Sequence, residues 1–174
     1  MNRLLAALSA RIRRPAGPGR ARDLPAAARD AERRMAAGFR AFGEYEQTGR
    51  PEALAAALAA FPPGHPELPG YLSNLGNVLI MRFLEAGDAA ELDAAVDAEQ
   101  RAVDLAPPDH PDLAKMRSNL GVALRIRFER AGDVADLDAA VDAGRRAVDL
   151  APPGHPELAM YLWNLEVALL ARFE

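Results

Sequence analysis

From Leu68 onward the apolar residues fall at helical spacing. Leu68, Leu72, Leu75, Leu79 and Phe83 recur every three or four positions and form one stripe along a helix. Pro66 suits the first turn of that helix, because its missing N–H would have no partner there, and Glu67 adds negative charge at the positive end of the dipole. The stripe stops at Ala86-Gly87, since glycine readily takes the left-handed conformation that closes helices, and Asp88 offers a side-chain cap for the next helix. A second stripe follows, made of Leu92, Ala95, Val96, Ala102, Val103 and Leu105, with its smallest residues in the middle. Pro107-Pro108 forbids its continuation. The pattern predicts a hairpin of two long helices.

The pattern then returns. A shift of 45 residues lays Gly64-His65-Pro66-Glu67-Leu68 over Asp109-His110-Pro111-Asp112-Leu113 and again over Gly154-His155-Pro156-Glu157-Leu158. It also aligns Ser73-Asn74-Leu75-Gly76 with Ser118-Asn119-Leu120-Gly121 and Trp163-Asn164-Leu165-Glu166, and 29 of the 45 positions from Gly64 to Pro108 keep the same residue. A fixed period of this length marks a stack in which each unit buries its apolar face on its neighbours. The second unit predicts helices near 111–130 and 133–150, and the third one helix near 156–174. A worn-down unit precedes them. Leu24 to Gln47 reads as a helix carrying Ala28, Met35, Phe39 and Phe42, Thr48-Gly49-Arg50-Pro51 as a turn, and Glu52 to Phe61 as a helix about two turns shorter than its counterparts.

The segmentation is therefore a leader over 1–22, a degenerate hairpin over 23–63, full units over 64–108 and 109–153, and a half unit over 154–174. The expected fold is all-α, a right-handed solenoid of antiparallel helical hairpins. Charge divides along the same lines. Residues 1–34 balance to +6 and residues 35–174 to -10, within a net charge of -4. In the leader, Leu4, Leu5, Leu8 and Ile12 stand at helical spacing among arginines, predicting a short amphipathic helix; Pro15 to Arg22 reads as a linker. Its apolar run from Leu4 to Ala10 is too short for a membrane span and wrongly flanked for a signal peptide, so a cytoplasmic protein is expected. The acidic body speaks against nucleic acid, and membrane binding through the leader is a minor alternative.

Leu75-Gly76, a small residue at Ala95, Ala102-Val103 and a closing Pro107 occur in the order of the tetratricopeptide repeat, whose unit is a 34-residue pair of helices. From about Pro25 to Glu174 the chain resembles that family in a long form. Its Ser-Asn-Leu-Gly, Arg-Phe, Ala-Gly-Asp and Leu-Asp-Ala-Ala-Val segments look like those of bacterial multidomain proteins that carry a caspase-like CHAT peptidase or a regulatory domain. The resemblance implies an adaptor that binds a protein or peptide on its concave face, with no catalysis. In that family, asparagines of the inner helix grip a partner's backbone or terminal carboxylate. Asn77 and Asn119 fall on such positions and Lys115 lies on the same helix, whereas Ser73, Met160 and Asn164 stand where a basic residue would complete a clamp.

Chemistry of other kinds finds little support. The absence of cysteine excludes thiolate nucleophiles and Cys-containing zinc sites. His65, His110 and His155 recur one per unit, roughly 20 Å apart by helix-packing distances, and so cannot share a metal. They read as loop residues bonding local backbone at a helix start. No phosphate loop, His-Glu-x-x-His or Gly-x-Ser-x-Gly occurs, and neither an enzyme nor a cofactor is expected. The recurring Asn74, Asn119 and Asn164 have two readings: a structural bond to the loop of the preceding unit, or a grip on a ligand. Between the full units the first helix varies most, at Gly70/Lys115, Tyr71/Met116, Asn77/Val122, Ile80/Arg125 and Met81/Ile126. The candidate partner-binding set is Ser73, Asn77, Met81, Lys115, Ser118, Asn119, Arg125 and Trp163. Gly76 and Gly121 are expected to admit the second helix closely. Glu166 in the third unit suits a final capping helix, whose remaining apolar surface offers an alternative role in self-assembly as a dimer.

Overall fold

Two glycines and two aspartates decide where the long helices turn. Gly87 and Gly132 adopt φ of 75° and 74°, and their N–H groups donate to the carbonyl oxygens of Phe83 and Phe128 at 2.7 Å. One residue on, Asp88 and Asp133 accept the N–H of Ala90 and Ala135 at 3.0 Å and cap the next helix. A connection this short leaves the flanking helices antiparallel.

A computed structural model describes residues 26–60, 65, 66 and 68–173, and these are all-α. The described residues form seven helices: α1 (Ala26–Thr48), α2 (Pro51–Ala60), α3 (Leu68–Ala86), α4 (Ala89–Leu105), α5 (Leu113–Ala131), α6 (Val134–Leu150) and α7 (Leu158–Leu170). The leader helix and linker expected over 1–22, the stop at Pro62-Pro63 and the side chain of Glu67 lie outside the described residues. The chain divides into two units, Met1–Pro63 and Gly64–Glu174.

In the first unit α1 packs on α2. Ala53 and Ala57, one turn apart, bury their small side chains, as does Tyr45 near the end of α1. Gly49 at φ 66° closes α1, its N–H donating to Tyr45 O at 2.7 Å, and Arg50 N–H donates to Thr48 Oγ1 at 3.3 Å. The turn is thus confined to Gly49-Arg50, inside the predicted Thr48–Pro51, whose outer residues belong to the flanking helices.

In the second unit α3 pairs with α4 and α5 with α6. Each second helix also packs on the next first helix, α4 on α5 and α6 on α7, and the first helices pack on one another, α3 on α5 and α5 on α7. The predicted stripes supply most of the core: Leu68, Leu72, Leu75 and Leu79 are buried from α3, and Leu92, Ala95, Val96, Ala102 and Val103 from α4, whereas Phe83 is half-buried and Leu105 exposed at the stripe ends. Each large aliphatic buried here stabilises by about 1.5–3 kcal/mol. The alanines contribute by letting the helix axes approach. Gly121 shows how closely they do: a Cβ there would stand 3.1 Å from Ala140 O.

Helix ends depart from expectation at two kinds of place. The first helices begin at Leu68, Leu113 and Leu158, two residues beyond the prolines expected to open them. A tight turn spans each proline instead, with Leu113 N–H donating to His110 O and Leu158 N–H to His155 O at 3.1 Å. The final helix ends at Leu170, not near Glu174. Phe173 N–H donates to Leu170 O at 3.0 Å, and because the Phe173 ring is 87% exposed no burial holds this last turn in α geometry.

Candidate functional site

The packing of α3, α5 and α7 on one another collects most of the sequence-predicted residues, one helix per unit. Two hydrogen bonds set the register. Asn119 Nδ2 donates to Ser73 Oγ at 3.1 Å and Asn164 Nδ2 to Ser118 Oγ at 3.0 Å. Each joins an asparagine to the serine 46 residues before it, on the first helix of the preceding unit rather than on its loop. The recurrent asparagine therefore fastens one first helix to the last, the repeating task its spacing implied.

This corrects two members of the partner-binding set. Ser73 is 5% exposed and Ser118 1%, and both accept a bond within the protein. They belong to the seam between first helices and not to the open surface. The rest are more open. Met81 and Trp163 are exposed, Trp163 at 64%, while Asn77, Lys115, Asn119 and Arg125 are half-buried. Arg125 pairs with Glu129 one turn along α5. The set thus offers a cation at Lys115, an ion pair at Arg125 and apolar surface at Met81 and Trp163.

His110 and His155 do what the loop reading requires. His110 Nδ1 accepts from Asp112 N–H and His155 Nδ1 from Glu157 N–H, both at 3.1 Å, so each imidazole takes up an orphan donor at a helix start. The His155 ring also lies against Tyr161, 5.7 Å between centroids. Tyr161 Oη donates to Glu157 Oε2 at 2.7 Å; burial, with Glu157 beside it, pushes the phenol above its ordinary value. Among the described residues no group of three or more His, Asp or Glu side chains could hold a metal ion.

Sequence reasoning passed over two groups. The first is the arginine of the Arg-Phe segment. Arg127 makes a two-pronged bond to Asp136, Nε to Oδ2 at 2.7 Å and Nη2 to Oδ1 at 2.6 Å, which closes its own hairpin. Its Nη1 lies 3.6 Å from Asp93 of the preceding unit. Arg82 and Glu91 repeat the first contact at 2.5 Å, and Arg172 and Asp138 repeat the second. Arg130 adds a bond to Gly87 O at 3.1 Å and stacks over Phe83. A cleft of about 270 Å³ opens here, but Arg127, Arg130, Asp133 and Asp136 on its walls are already engaged.

The second group is Glu99, fully buried where α4 meets α3 and α5. It occupies the space that Gly76 leaves, so Gly76 admits a carboxyl side chain from α4 rather than the backbone contact seen at Gly121. The signal was in the repeat: 92–98 and 137–143 are identical, and the next position changes from Glu99 to Gly144.

Among the described residues no helix is long and apolar enough to cross a membrane. No family model, curated protein or solved structure matches the chain.

Proposed function

We propose that this chain is a protein-interaction adaptor, a right-handed solenoid of the long tetratricopeptide type, cytoplasmic, that holds a peptide or protein on the surface made by α3, α5 and α7. The observation that carries the reading is the pair of Asn–Ser bonds. They repeat one register from first helix to first helix, which is how a solenoid builds a continuous face from equivalent rows. Residues that differ between units, Asn77, Met81, Lys115 and Arg125, remain at least partly open on that face. Lys115 favours a partner with an acidic group, such as a peptide carboxylate.

The test is capture of a partner by the whole chain, with Lys115→Glu/Arg125→Glu compared against Arg145→Glu on α6. Loss with the first and retention with the second supports the reading; equal retention by both removes it.

A second reading, a subunit that pairs with its own copy through α7, is favoured by the exposed Leu162, Trp163 and Leu170. A mass by light scattering that stays monomeric at all concentrations eliminates it.

A further inference from the structure

Glu99 is a buried acid that the hairpin repeat does not need. Its side chain is 0% exposed, and neither Oε1 nor Oε2 has a hydrogen-bond partner. It lies against the backbone of α3 at Gly76, where a Cβ would come within 2.5 Å of its Cγ and 2.6 Å of Oε1. In the next unit the same place holds Gly144, packed on Leu165 of α7. One inter-unit seam is therefore apolar where the other encloses a carboxyl.

The groups that act on Glu99 come from both helices packed against α4. They are Ser73 of α3, and Asn119 and Lys115 of α5. Ser73 and Asn119 favour the ionised form as polar neighbours, although the carboxyl oxygens have no formed hydrogen bond and Asn119 directs one amide N–H to Ser73. Lys115 favours it by charge. Burial outweighs all three and holds the carboxyl well above the usual glutamate range.

We infer that Glu99 is a proton-controlled lock on the junction of α3, α4 and α5: with its proton α5 seats on the first hairpin, and without it the charge draws water or Lys115 into the seam and loosens α5. A carboxylate buried without a hydrogen-bond partner is far more costly than the neutral acid, so opening is the available relief. Because the folded state holds the proton more tightly than the open one, the junction is firmest below the ordinary glutamate range. It weakens as pH rises from there toward the raised folded-state value. The movement displaces Lys115 and Asn119 together. The inference concerns the junction itself and stands whether or not the face above it binds a partner.

Backbone hydrogen exchange on the whole chain, from mildly acidic to mildly alkaline solution and corrected for intrinsic rates, tests it. Opening of α3, α4 and α5 should increase with pH, approaching about tenfold per unit where one proton is released. In Glu99→Gln the same amides should lose that dependence. A flat wild-type profile, or an unchanged slope in Glu99→Gln, overturns the lock. Should Glu99→Gln fail to fold, the carboxyl ¹³C titration of wild-type Glu99 decides: a midpoint well above the exposed glutamates supports the proposal, and one among them overturns it.

Discussion

Asparagine inside a helix is less favourable than alanine by about 0.7 kcal/mol or less, so its recurrence at one position of every unit needs a compensating bond. Asn119 and Asn164 each satisfy a buried serine of the preceding unit. Asn164→Ala should cost about 1–3 kcal/mol in urea unfolding, because Ser118 is left buried without its partner. Removing both side chains should cost less than the two single changes added together, a coupling that a double-mutant cycle measures directly. Arg127 also joins units, through Asp93. Arg127→Lys keeps the charge but loses the fork to Asp136, and about 1 kcal/mol of stability should go with it, read from the same unfolding curves. The asparagines were legible as a class because they share one spacing, whereas their serine partners were not, since which rows of two helices meet depends on the stagger between them. The serines lie just beneath the surface on which their helix position alone would put them.

Helices as elements were the most legible layer, because the stripes, the Ala-Gly-Asp turns and the Pro-Pro stops all agree. Boundaries were less so: a proline can open a helix or occupy the turn before it, and here the His-Pro-x-Leu turn closes on the histidine carbonyl. Asp133→Ala should remove the cap of α6 and cost about 1 kcal/mol, with fraying confined by hydrogen exchange to its first turn. Gly132→Ala forces a side chain into φ of 74° and should cost about the same. If neither change moves the unfolding midpoint, the turn is not what holds α5 and α6 antiparallel.

For the whole molecule, the 45-residue period recurs in the helix pairs α3–α4 and α5–α6 and in α7. Surface and interior on the first helices were harder to separate, because these helices pack on neighbours of their own kind. Trp163 stands where the preceding units have serine, so α7 presents a ring where α3 and α5 present an acceptor. Trp163→Ser should leave stability within about 0.5 kcal/mol, as befits an exposed site, and calorimetry can check it.

That substitution also settles where this chain can be lengthened. A duplicate of residues 109–153 spliced in after Pro153 would find a serine waiting for its asparagine and would hand a serine on to Asn164. The aspartate contacts of Arg127 and Arg172 would be renewed by the same splice. An extension grafted beyond α7 would meet indole in place of hydroxyl, so its first helix would lack the Asn–Ser bond that a unit inserted in the middle keeps.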